Sequence, residues 1–118
     1  TIEDVFITNA PFWCIHLLKS ENIICRGIRY DAKLVNNDGI DPEYTRNLLI
    51  ENIEFNNGDD NVAIKCGRDN DGWKTSCPWK ILLFVTVSSK GFMVWCWAVR
   101  CHREYSMFRR ELHLRRLL

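Results

Sequence analysis

Asn22-Ile-Ile-Cys-Arg-Gly-Ile-Arg-Tyr30 aligns without gaps to Asn47-Leu-Leu-Ile-Glu-Asn-Ile-Glu-Phe55, a repeat with a period of 25 residues. The leading Asn is kept, and Ile23/Leu48, Ile24/Leu49, Cys25/Ile50, Ile28/Ile53 and Tyr30/Phe55 all stay apolar. Each unit holds two short runs of alternating apolar residues with a Gly or Asn between them, as expected of bent strands with one buried face. A third run, Asn61-Val-Ala-Ile-Lys65, follows the loop Asn56-Asn-Gly-Asp-Asp60, and earlier runs at Val5–Ile7 and Phe12–Leu18 read as a preceding turn of the same kind. Short strands, polar corners and a period in the twenties fit a solenoid, in which each strand pairs with its equivalent one turn away. Asn22 and Asn47 then occupy equivalent corners, where their amides can stack in a hydrogen-bonded ladder. A βαβ sheet is the competing architecture, but nothing before residue 78 shows the 3.6-residue period of a crossover helix. Residues 1–78 are therefore expected to be all-β, two to three coils of a right-handed parallel β-helix.

The rest of the chain is of another kind. Among its 118 residues, 1–78 carry 13 acidic and 8 basic side chains, whereas 79–118 carry 2 and 8. No Asn follows Asn70, no Asp follows Asp71, and three of the five Trp lie beyond Pro78. The net charge of +1 hides this break and gives no global polarity for nucleic acid. Within 79–118, an apolar run at Ile81–Val99 followed by Arg109, Arg110, Arg115 and Arg116 mimics a membrane anchor. Lys90 and the Val/Thr/Ser content count against that, and Trp and Cys are not interleaved with charge as in a nucleic-acid groove. The division expected is a partial β-helix over 1–78 and a poorly specified basic and apolar tail over 79–118.

Other features point to no cofactor and no metal. Asp69-Asn-Asp-Gly72 begins like a calcium loop but lacks the later ligands. Cys96, Cys101, His102 and His113 do not follow zinc-finger spacing. Cys66 and Cys77 are read as buried thiols, with a bridge between them the alternative in an oxidising compartment. His16 lies in an apolar run and is expected to be packed. No Met, charged n-region or apolar h-region opens the chain, so Thr1 reads as a cut end.

The chemistry lies in two acidic loops. Asn36-Asn-Asp-Gly-Ile-Asp-Pro42 places Asp38 21 residues ahead of Asp59 in Gly58-Asp-Asp60. One coil between them puts Asp38 and the Asp59/Asp60 pair on adjacent rungs, about 4.8 Å apart along the axis. Carboxylates so close repel, so at least one is expected to hold its proton at raised pKa. A protonated acid beside an ionised base is what glycosidic cleavage requires. Each loop alone reads better as a turn former with Asp capping backbone donors; the coil-spaced pairing reverses that and favours the chemical reading. Lys65, just after the second loop, can partner Asp59 or Asp60, or point to solvent.

At these loops the chain resembles the polygalacturonases, glycoside hydrolase family 28, whose motifs are Asn-Thr-Asp-Gly and Gly/Gln-Asp-Asp, then Gly-His-Gly and Arg-Ile-Lys. Here Asn36-Asn-Asp-Gly39 and Gly58-Asp-Asp60 stand for the first two, and Asn9-Ala-Pro-Phe-Trp13 with Ile15-His16 is similar to the coil before the active site. The resemblance covers about residues 3–78. It implies a right-handed parallel β-helix and hydrolysis of α-1,4-linked galacturonan in pectin with inversion. Asp59 would protonate the leaving oxygen, and Asp38 and Asp60 would activate water; Lys65, beside these loops, is the candidate substrate-binding residue. A secreted or periplasmic parent is implied as well.

Neither Gly-His-Gly nor Arg-Ile-Lys follows Pro78. Codons can be chosen for Trp79–Phe108 so that dropping two bases gives Glu-Asn-Ile-Ile-Ile-Arg-Asn-Cys-Gln-Phe-Glu-Gly-Phe-His-Gly, which restores the repeat and the His-Gly. Residues from about Trp79 are thus expected to be read out of frame, and the chain to have little activity and to self-associate through its open sheet edges. The alternative function is a non-catalytic solenoid that binds polysaccharide or a protein, its Asp residues being corner formers.

Overall fold

The computed structural model of the chain describes residues 1–65 and the backbone of a strand at 82–89. The described elements are all strands: β1 (Ile2–Glu3), β2 (Phe6–Thr8), β3 (Ile15–Leu18), β4 (Glu21–Arg26), β5 (Arg29–Asp31), β6 (Ile40–Glu43), β7 (Arg46–Phe55) and β8 (Leu82–Ser89). Every pairing is parallel and joins one turn to the next. Ile2 lies opposite Cys25 and Cys25 opposite Ile50; on the other wall Ile15 lies opposite Ile40 and Ile40 opposite Val62. The coil is a right-handed parallel β-helix. Between β4–β5 and β7 the period is the 25 residues of the repeat, since Ile23 pairs with Leu48 and Arg29 with Glu54, whereas the step from β1–β2 to β4–β5 is shorter, Phe6 pairing with Arg29.

The Gly and Asn kinks have a definite job. Asp4, Gly27 and Asn52 stack at one corner with φ of 53°, 62° and 50°, in the left-handed region that Gly, Asn and Asp enter at least cost. The bend resets the alternation: β7 buries Leu48 and Ile50 before Asn52, and Ile53 and Phe55 after it. A β-carbon on Gly27 would strike Asp4 Oδ1. At the next corner column Asn22 and Asn47 have φ of 58° and 52°, and Asn47 Nδ2 donates to Asn22 Oδ1 at 2.9 Å. The expected ladder is present. Replacing Asn47 with Ala should therefore cost about 1–2 kcal/mol, because Ala resists the left-handed region. Asn47→Gly loses only the ladder bond, about 0.5 kcal/mol, and urea unfolding of the two variants checks the order.

Inside the coil Ile28, Ile40, Ile50, Ile53, Phe55 and Val62 are fully enclosed. The Tyr30 and Phe55 rings stack with centroids 5.0 Å apart at 19°, and Tyr30 Oη donates to the Gly39 carbonyl at 3.1 Å. Gly39 has room for nothing larger: a β-carbon there would meet the Asn61 carbonyl and the Phe55 ring. Outside, Arg26 pairs with Glu3 at 2.6 Å and Arg46 with Glu21 at 3.3 Å. All four side chains are roughly half exposed, so these pairs add little stability.

Strand β8 lies past the composition break. Its backbone pairs with β7 from Leu48 opposite Leu82 to Phe55 opposite Ser89, adding a rung where the sequence reading ends the regular coil. The physical reason is local: Leu82-Leu-Phe-Val-Thr-Val87 is rich in strand formers, and the open edge of β7 offers a row of backbone donors and acceptors. Leu82–Ser89 thus forms a strand within the run that mimics a membrane anchor, and no helix among the described residues is long and apolar enough to cross a membrane. Cys66, Cys77, the Asp69–Gly72 turn and the Cys/His group beyond Cys96 lie outside the described residues.

Candidate active site

Two backbone bonds set the site. The Gly39 N–H donates to the Asp60 carbonyl at 2.8 Å and the Ile40 N–H to the Asn61 carbonyl at 3.0 Å. On the other side the Cys14 N–H donates to the Asp38 carbonyl at 2.9 Å. Asp38 therefore stands on the rung between Trp13-Cys14 and Asp60-Asn61. The step to each neighbour is one strand spacing, about 4.8 Å. The loops are held by two buried amides. Asn57 Nδ2 donates to the carbonyls of Asn37, Asp59 and Asp60 at 3.1, 2.8 and 2.9 Å. Asn37 Nδ2 donates to the carbonyls of Ala10 and Phe12 at 2.7 and 2.9 Å, drawing the segment before β3 against the site.

The carboxylates differ in setting. Asp59 is half-buried, and its Oδ1 accepts the Asp60 N–H at 3.0 Å. Asp38 and Asp60 are buried in the loop bottoms. Asp41 is completely enclosed. On the outer face of the same wall, Lys65 reaches back from its place opposite Glu43. Its Nζ donates to Asp38 Oδ2 at 2.9 Å and to Asp41 Oδ1, and lies 3.4 Å from the centroid of the Trp13 ring.

Burial, then the neighbouring Asp38, push the Asp41 carboxyl up to about 8, against the opposing pull of Lys65. The stoichiometry explains the direction: two enclosed carboxyls share one ammonium, so one proton makes the group neutral. Asp41 Oδ2 is buried without a hydrogen-bond partner, so nothing at that oxygen offsets the cost of a charge on this carboxyl. Desolvation likewise raises the Cys14 thiol, which borders the pair.

Asp38, Asp59 and Asp60 are thus brought to adjoining rungs. Two expectations about their neighbours need correcting. Lys65 is held by Asp38 and Asp41, because its extended side chain runs back along the wall toward the earlier rung rather than across to its own loop. His16 is not in the core: alternation in β3 turns Ile15 and Leu17 inward and His16 outward, where its ring meets the Trp13 ring edge-on at 5.2 Å and Nε2 lies 2.8 Å from Glu43 Oε2. Sequence reasoning passed over Asp41, Trp13, Asn37 and Asn57. Asp41 carried a signal, since it sits three residues after Asp38 in the same loop and two residues from Glu43 on one strand face. Among the described residues no cluster of three or more His, Cys, Asp or Glu is arranged to hold a metal ion.

Residues 1–77 match the family model described as Glycosyl hydrolases family 28. The chain belongs to that family. A curated relative of the family-28 chain, "Probable polygalacturonase" of Vitis vinifera, is 37% identical over 84 residues, covering 70% of this chain and 17% of the relative. A solved structure described as a hyperthermoactive exopolygalacturonase from Thermotoga maritima is similar with a TM-score of 0.65 and 44% identity, over 77% of this chain and 22% of that one. The family-28 chain therefore spans about a fifth of the length of these relatives.

Proposed function

We propose that this family-28 chain carries the acidic centre of a polygalacturonase, which hydrolyses α-1,4-galacturonosidic bonds of pectin with inversion. The observation that carries the reading is the stacking of Asp38 against Asp60 on successive rungs, with the more accessible Asp59 beside them. In this reading Asp59 is the general acid: it gives its proton to the glycosidic oxygen as the bond to the anomeric carbon breaks. Asp38 and Asp60 hold a water on the opposite face of the sugar and take its proton as it attacks. Inversion calls for a separation of roughly 6.5–9.5 Å between acid and base carboxyls, wide enough for that water. The kinship with "Probable polygalacturonase" and with the exopolygalacturonase supports the substrate class. Pectin lies outside the cell, which supports a secreted or periplasmic parent.

The test transplants residues 1–77 into the matching stretch of an active family-28 polygalacturonase. The chimera is expected to release galacturonic acid from polygalacturonan, and Asp59→Asn within it to lower kcat by about 10²–10⁴-fold. A chimera that folds but stays inactive, or one indifferent to Asp59→Asn, would count against the reading. The 118-residue chain alone is expected to show little release, since neither Gly-His-Gly nor Arg-Ile-Lys follows Pro78. We further read 79–118 as an out-of-frame tail, which an uninterrupted single frame in the coding DNA would refute. The open rungs of the coil favour self-association, measurable by light scattering.

A further inference from the structure

Lys65 does not have the setting of a side chain that waits for a ligand. Its ammonium is bounded by Asp38 Oδ2, Asp41 Oδ1 and the face of Trp13, and only 15% of the side chain is exposed. An ammonium has three hydrogens, and two already serve buried carboxyls while the indole covers a third direction. To grip a substrate carboxylate it would have to leave two desolvated acids without their cation, which is costly. We propose that Lys65 is a positioning residue: it holds Asp38 charged and in one orientation for its work on the water, and does not grip substrate. What Asp38 does rests on the glycosidase reading; the clamp itself stands on the contacts.

The electrostatics follow from counting charges. Side by side and out of water, Asp38 and Asp41 cannot both ionise easily. One cation between them supports one negative charge, and Asp41, the more enclosed, takes the proton. The other titratable groups around the pair are Cys14 just before β3, His16 from β3, Tyr30 from β5, Glu43 from β6, and Asp59 and Asp60 from the next rung. His16 and Glu43 bond each other on the outer face. Among the described residues, Lys65 is therefore the cation in direct contact with both acids. Without it, the proton should spread over Asp38 and Asp41 and persist to higher pH.

The experiment follows the side-chain carboxyl carbons of Asp38 and Asp41 by NMR in the intact chain, with Lys65→Met and Lys65→Arg alongside. Lys65→Met should raise the midpoint of Asp38 ionisation by about one pH unit or more, a tenfold change in its protonation equilibrium. Lys65→Arg, which keeps the charge, should bring the midpoint most of the way back to that of the unmodified chain. An Asp38 titration unchanged by Lys65→Met would overturn the proposal. Should Lys65→Met fail to fold, the unmodified chain decides. Reductive methylation of Lys65 should run about tenfold slower than that of the exposed Lys33, as expected of a buried, paired amine, and equal rates would overturn the clamp. The glycosidase reading is tested separately in the same samples by adding an oligogalacturonide. Failure to shift the amide signals of Asp38, Asp59 and Asp60 would count against that reading alone. A tenfold fall in oligogalacturonide affinity in Lys65→Met, with Asp38 titrating as before, would return Lys65 to a substrate-gripping role.

Discussion

Phe55→Ala is expected to remove about 3–5 kcal/mol of stability, a large share of what a small domain possesses. Phe55 is fully enclosed, and its ring does three things at once. It fills the core of the third coil, stacks on Tyr30 at 5.0 Å, and lies against the surface of Gly39 where no β-carbon fits. Its loss leaves a cavity lined by the enclosed Tyr30, Ile53 and Gly39 backbone, and substitutions cost most where such a cavity cannot collapse. It also frees Tyr30, whose hydroxyl holds the Gly39 carbonyl one residue from Asp38. The disturbance should reach the acidic loop, and amide shifts of Asp38 and Asp60 should move even where the chain stays folded. Phe55→Leu, retaining much of the volume, should cost less than half as much. Urea unfolding of the three proteins measures this, and a loss under about 1 kcal/mol for Phe55→Ala would mean that the ring is not the centre of the core.

Between about pH 4 and pH 8, stability should decline as pH rises through the contribution of Asp41. The sign follows from the direction of its shift. Asp41 is held well above its ordinary value, to about 8, chiefly by desolvation, so the folded state keeps a proton that the unfolded chain releases near pH 4. Its contribution is fully present below the unfolded pKa and is lost as pH rises through the folded one. The slope from a single group cannot exceed about 1.4 kcal/mol per pH unit. Lys65 is shifted upward by its two acids despite burial, so it keeps its charge through this window and adds no slope there. Asp41→Asn leaves one carboxylate against one ammonium. It should flatten this part of the profile and be more stable than the parent chain at pH 8. Denaturation midpoints of both proteins at pH 5, 6.5 and 8 provide the check. If the difference between the two proteins does not change with pH, Asp41 does not hold the proton.

Asn22 and Asn47 announced the ladder because an exposed left-handed corner recurring at coil spacing restricts the choice of residue so narrowly. The corner at Lys19 and Tyr44, with φ of 46° and 51°, gave no such notice. There the bend is imposed from outside, by the Lys19 N–H on the Glu43 carbonyl at 2.8 Å and by Thr45 Oγ1 on the Leu17 carbonyl at 2.7 Å. His16 misled for a related reason, since an apolar run one strand long presents alternate residues to opposite faces. Strand β8 was missed because composition describes what a segment is made of, whereas an open sheet edge accepts any backbone of sufficient strand propensity.

The residue order alone determined the coil, its period, the polar corners and the arrival of Asp38, Asp59 and Asp60 on adjoining rungs. These depend on a repeat, and a repeat is written along the chain. Only the tertiary structure decided which acid is fully enclosed, which acids Lys65 holds, and that Trp13 covers the ammonium. Those depend on the reach of long side chains across three turns, from residue 13 to residue 65. No local pattern encodes such a distance; it exists once the coil has closed.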